Sequence, residues 1–126
     1  MALIPTEITL RNPCFPEMQP IVVNALVNTN AMVLCIPEHI ALLLKLDEVE
    51  KREVTIADGT KKSVPYVGPV QTTFKNRGSF CGAMVMGDTV LLGAIAMEDM
   101  DLVISPKNQR IEVNPDSPNF AQANVM

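Results

Sequence analysis

Tryptophan is absent, and tyrosine and histidine occur once each in a chain of 126 residues. A single histidine, His39, leaves no HExxH zinc site and no His-based triad with a ligand to spare. Its place beside a helical apolar stripe makes it a solvent-facing residue. The three cysteines, Cys14, Cys35 and Cys81, are odd in number and lack Cys-x-x-Cys spacing. They fit reduced thiols of a cytoplasmic protein better than a disulfide framework. Basic residues are scarce: 10 Lys and Arg stand against 14 Asp and Glu, giving a net charge of −4 and a pI near 4.9. That balance argues against nucleic acid, whose phosphates need a basic face. No apolar run approaches the roughly 18–20 residues of a membrane span, and the stretch from Met1 to Glu7 lacks the features of a secretory signal. No membrane partner is expected. The glycines at 78, 82, 87 and 93 do not form a phosphate-binding loop. Glu98, Asp99 and Asp101 cluster without the defined loop that a hard cation requires. Neither a metal nor a cofactor is expected.

Apolar residues make up 48% of the chain, enough for one folded domain over residues 1–114, with a flexible tail over 115–126. Thr6 to Arg11 alternates, placing Ile8 and Leu10 on one face of a strand. Asn12 to Pro20 is a loop holding three prolines, and Ile21 to Val27 is a strand. Met32 to Ile36 reads as a short buried strand. Pro37 then opens a helix with Ile40, Leu43 and Leu44 inward, closed by the charges of Asp47 to Lys51. Arg52 to Ala57 and Lys61 to Val67 flank Asp58-Gly59, a strong hairpin signal. Gly68-Pro69 makes a corner before Val70 to Phe74. Strands over Ser79–Met86, Thr89–Leu92, Asp101–Ser105 and Arg110–Val113 follow, with a helical turn at Met97 to Met100. The eight methionines serve as core fillers where aromatics are few. Roughly eight or nine short strands with one clear short helix make a mainly β protein, a closed or nearly closed barrel.

Asn28-Thr29-Asn30 interrupts this pattern, set between the apolar segments 25–27 and 31–36. Burying an unpaired amide or hydroxyl costs about 1–3 kcal/mol, so the triplet needs a reason to be there. Taken with Ala57-Asp58-Gly59 and the later Leu91-Leu92-Gly93, it resembles the retropepsin-like aspartic peptidases, in particular the small single-domain bacterial members of that clan. Their first motif reads apolar-apolar-Asp-Thr/Ser-Gly-Ala, followed by a Pro-Glu-led helix, an Ala-Asp-Gly hairpin and an apolar-apolar-Gly segment. The resemblance spans about residues 6 to 114. It implies a closed acid-protease barrel, a homodimer with half a site per subunit, and a peptide or unfolded polypeptide held under two flaps. Ala57, Asp58 and Gly59 would form the flap, Leu91, Leu92 and Gly93 the supporting motif, and Asn28, Thr29 and Asn30 the catalytic triplet.

The chain departs from the family where its chemistry resides. Asn28 stands at the family's Asp and Asn30 at its Gly. A carboxamide does not titrate near neutral pH, and the family mechanism needs two carboxylates that share a proton. Asp58, on a flap, and Asp88, in a turn, are not replacements. Asn30 is milder, since Asn tolerates left-handed backbone, and Thr29 matches the family hydroxyl that ties the two site loops together. Three readings follow: an aspartic endopeptidase lineage inactive as written, a non-catalytic peptide- or protein-binding dimer, or a barrel in which residues 28–30 are a polar turn satisfied by its own backbone.

Overall fold

Period-two patterning becomes paired strands wherever the chain carries it. The computed structural model describes residues 4–123, so the last three positions of the expected tail lie outside the described residues. Strands β1 (Ile4–Arg11) and β2 (Ile21–Val27) pair antiparallel, with Ile8 opposite Val23 and Leu10 opposite Ile21. Ile8 and Leu10 are both buried. The proline-bearing loop between the two strands is pinned by Asn12, whose amide nitrogen donates to the carbonyls of Leu44 and Lys45 at 2.8 and 3.2 Å.

Four further strands complete a closed six-stranded barrel: β3 (Leu34–Ile36), β5 (Lys61–Phe74), β6 (Arg77–Val85) and β7 (Val90–Leu92). The order around it is β1-β2-β7-β3-β6-β5, and β5 returns to β1 through Thr9 opposite Thr73. The strand β4 (Asp47–Thr55) lies outside this ring and pairs with β5. The hairpin β8 (Leu102–Ser105) and β9 (Arg110–Val113) forms a separate small sheet. Two pairings are parallel, β2 with β7 and β3 with β6. Because β7 also runs antiparallel to β3, it is inserted between the two strands that flank residues 28–33. Leu34, Ile36, Val70, Ala83 and Leu92 fill the interior.

Mainly β architecture is thus as expected, with strand at 51% and helix at 10%, but the helix count differs. There are two short helices, α1 (Glu38–Leu43) and α2 (Ala94–Asp99), where one was expected. The second begins at Gly93 and buries Ala96 and Met97. The helical turn expected at Met97 to Met100 is the end of this helix, which starts three residues earlier at Ala94. In α1 the inward stripe is Ile40, Ala41 and Leu44, while Leu43 is 61% exposed. A helix of six residues has room for little more than one turn of contact, so its rotation is set by where the barrel receives it. Asp47 to Lys51 does not close this helix but starts β4. Lys45 stops the helix earlier, at φ 52°. Its second half falls in the strand expected over Arg52 to Ala57, whereas Asp47 to Lys51 holds one apolar residue and reads as solvated charge: this is an outer strand, and its charges pair along the chain, Lys51 to Glu48 and Arg52 to Glu50, both at 3.0 Å. The corner at Gly68-Pro69 is a register shift inside one continuous strand, β5. Proline has no N–H for the ladder, so the pairing resumes at Val70.

Beyond Asn114 the chain stays on the barrel. Asn114 and Ser117 donate through their side chains to the Asp101 carboxylate, and so does the Gln122 backbone N–H at 3.0 Å. The buried Arg77 guanidinium donates to the Ser117 carbonyl. These contacts cross from β6 and the start of β8 to the terminal segment.

Candidate functional site

Residues 28–32 leave the end of β2 and turn back toward β3 alongside the end of β7. The turn is held from within: Asn28 Oδ1 accepts the Asn30 backbone N–H at 3.0 Å, and the Asn28 carbonyl accepts the Ala31 N–H at 3.0 Å. It is held from without by the Asn28 N–H, which donates to the Leu92 carbonyl at 3.0 Å. Asn28 is half-buried, while Thr29 and Asn30 are exposed in the single chain. The burial expected for the whole triplet is therefore confined to its first residue.

Gly93 explains why an apolar-apolar-Gly segment accompanies this turn. A Cβ there would stand 2.7 Å from the Ala31 carbonyl oxygen and 2.8 Å from the carbonyl carbon and oxygen of Met32. The closeness is stitched by two hydrogen bonds, Ala94 N–H to Ala31 at 2.8 Å and Ile95 N–H to Met32 at 3.0 Å. Only glycine lets the two backbones cross at this distance.

The hairpin joining β4 and β5 overhangs the turn. The Ile56 N–H donates to the Thr60 carbonyl and the Gly59 N–H to the Ile56 carbonyl, both at 2.9 Å, and Gly59 takes φ +85°. The Asp58 carboxylate accepts the Thr60 backbone N–H at 2.8 Å, and its hydrogen bonds with Thr60 hold its pKa below the ordinary carboxylate value. Asp58 is thus committed to shaping the hairpin.

Between turn and hairpin lies a cleft of about 550 Å³. Asn28, Asn30, Ala31 and Met32 form one wall, and Val54, Thr55, Ile56 and Ala57 of the hairpin arm form the other. Cys35, Met84, Met86 and Leu91 make the floor. Strand register aligns this floor: Leu91 lies opposite Cys35, Cys35 beside Met84, and Met84 opposite Tyr66. The row faces away from the core, which takes the alternate residues Leu34, Ile36, Ala83 and Leu92. At its end Tyr66 packs over Gly82, where a Cβ would come within 2.3 Å of the ring, and Arg52 stacks on the ring at 3.9 Å.

Of the residues singled out from the sequence, Asn28, Asn30, Ala57 and Leu91 line the cleft together. Thr29 sits at the exposed tip of the turn, Asp58 and Gly59 form the end of the hairpin, and Leu92 is wholly buried. Gly93 lies behind the turn. The sequence reading missed Met32, Cys35, Val54, Ile56, Met84 and Met86. The period-two pairs Val54/Ile56 and Met84/Met86 carried the signal, but the methionines passed as core fillers. Only Met97 and Met100 among the described ones are buried in the core.

No Asp, Glu, His, Lys or Arg lines the cleft among the described residues. Its one ionisable group is the Cys35 thiol, which is 3% exposed. Burial pushes that thiol's pKa up, away from a reactive thiolate. Among the described residues no three His, Cys, Asp or Glu side chains gather as a metal site, and no helix is long and apolar enough to cross a membrane. Comparison with protein-family models and with curated proteins returned no match.

Proposed function

We propose that this chain is a non-catalytic barrel of retropepsin-like design that binds an extended peptide segment in the cleft, as a homodimer. One observation carries the reading: the cleft has walls, a floor and an overhanging hairpin, yet no side chain in it can act as general base on water. General acid–base groups typically contribute about 10²–10⁴-fold each, and a carboxamide at position 28 supplies none of it. Asn28 instead spends its amide oxygen on the turn. Supporting a second copy, Thr29 and Asn30 are exposed, and Met32 and Ile95 beside them are 63% and 44% exposed. A two-fold pairing through this patch would set one turn against the other and join two clefts into one groove.

The test has two arms. The protein as it stands is incubated with a diverse peptide library, and retained peptides are identified by mass spectrometry and titrated by calorimetry. Retention without cleavage is expected, and sedimentation should give a dimer. Cleavage by the unaltered protein, or retention of nothing, overturns the reading. In the second arm, Asn28→Asp with Asn30→Gly should restore hydrolysis at mildly acidic pH, because a carboxylate at 28 can accept the same N–H of residue 30. A folded, dimeric double variant that cuts nothing would remove the peptidase lineage from the interpretation and leave the binding function standing alone.

A further inference from the structure

We infer that Arg77, Thr72 and Ser79 form a buried binding site for one small monovalent anion, a halide such as chloride. Thr72 and Ser79 are direct cross-strand partners on β5 and β6, with Cβ atoms about 4.5–5.5 Å apart as such pairs are. Arg77 precedes Ser79 by two residues on the same face of β6, which makes it the diagonal neighbour of Thr72, within reach of a long side chain. All three are sealed from solvent, Thr72 at 0%, Ser79 at 1% and Arg77 at 3% exposure. Thr72 Oγ1, Ser79 Oγ, Arg77 Nε and Arg77 Nη1 have no partner among the described residues. A buried polar group without a hydrogen bond is costly, and a buried charge without a counter-charge costs more. The ion pairs among the described residues belong to Lys51, Arg52, Lys61 and Arg110, and none includes Arg77. Its Nη2 donates to the Ser117 carbonyl, a neutral acceptor. Asp101 does not serve as counter-ion: its oxygens accept from Asn114, Ser117 and Gln122, and Arg77 is the last-ranked of the influences that lower its pKa. The unpartnered atoms are donors in want of an acceptor, since guanidinium nitrogens only donate and each hydroxyl has one proton to give. A water molecule would accept from them and leave the charge uncompensated, whereas an anion does both. One guanidinium balances one charge, and an enclosed site suits a monatomic ion better than a phosphate or a carboxylate. The ion ties β5 and β6 to the terminal segment through Arg77 and Ser117, away from the cleft and independent of peptide binding.

The experiment is urea unfolding of the full-length protein, dialysed free of halide, in sodium gluconate and in its mixtures with sodium chloride or bromide at one ionic strength and one protein concentration. A ligand that binds only the folded state stabilises it according to its occupancy, so the midpoint should rise with either halide above its value in gluconate alone. Crystals grown in bromide should give an anomalous peak between Arg77, Thr72 and Ser79. Hydrogen bonds to charged groups are strong enough that losing them weakens binding by about tenfold or more. The double variant Thr72→Val/Ser79→Ala should therefore shift the halide response to at least about tenfold higher chloride. The halide response and the bromide peak of the unaltered protein test the site whether or not that variant folds. Coincident midpoints in chloride and gluconate, an undiminished halide response in the folded double variant, or water in place of bromide in the crystal would each overturn the assignment.

Discussion

Gly93→Ala isolates the contact on which the site turn depends. The added methyl would meet the Ala31 carbonyl oxygen at 2.7 Å and the Met32 carbonyl group at 2.8 Å. Both are backbone atoms, so relief requires the 28–32 turn to move bodily away from β7. Overpacking of this kind costs about 1–3 kcal/mol. The movement also stretches the bonds from Ala94 N–H and Ile95 N–H, now 2.8 and 3.0 Å, each contributing about 0.5–1.5 kcal/mol. Because the two bonds are weakened rather than wholly lost, the expected loss is roughly 2–4 kcal/mol, or about 8–16 °C in Tm at about 4 °C per kcal/mol for a domain of this size. Gly78→Ala is the matched control, because its nearest atom would be the Thr72 carbonyl oxygen at 3.8 Å, an ordinary contact. That variant should stay within about 0.5 kcal/mol of the parent. Urea unfolding of the three proteins, at one fixed protein concentration so that association is held constant, gives the comparison. Coincident curves for Gly93→Ala and the parent would show that the two backbones do not cross as described and would remove the reason for glycine at this position.

Three further outcomes are expected. Leu92→Ala, at a position 0% exposed beside the site turn, should lose about 2–5 kcal/mol in the same urea assay, and a loss under 1 kcal/mol would contradict its core placement. The Asp101 carboxyl is held below the usual carboxylate range, first by the Ser117 hydroxyl, then by Asn114 and the Gln122 N–H. Its stabilising contribution is therefore present above the unfolded value near about pH 4 and is lost as pH falls through the lower folded pKa. Asp101→Asn should flatten that part of the stability–pH curve and speed amide exchange at Ser117 and Gln122 at neutral pH; unchanged exchange would refute the anchor. Met84→Glu places a carboxylate on a cleft floor that has none. The folded variant should bind apolar peptides at least about tenfold more weakly by calorimetry, a difference of about 1.4 kcal/mol, and equal binding would exclude the floor from the groove.

Much of this molecule follows from local pattern. Ile8 and Leu10 alternate with polar neighbours, so one face of β1 had to be buried. The β-branched run from Ile21 to Val27 could be little else but a strand, and Asp58-Gly59 forced a hairpin because glycine accepts the positive φ observed there. The absence of a carboxylate at position 28 was legible too, since residue identity alone decides whether a group can titrate. Other features depended on partners distant in sequence. The strand β4 carries charges on its exposed face and becomes a strand because β5 offers it a ladder. Leu43 points outward because the barrel receives α1 through Ala41, a rotation that a stripe of leucines does not specify. The methionines at 84 and 86 look like those at 97 and 100, and only the register of β6 against β3 sends the first pair to the cleft and leaves the second in the core. Gly93 shows the division most clearly. The sequence by itself marks a glycine after two leucines, whereas the tertiary structure supplies the cause: a second backbone, some sixty residues earlier in the chain, passing where a side chain would be.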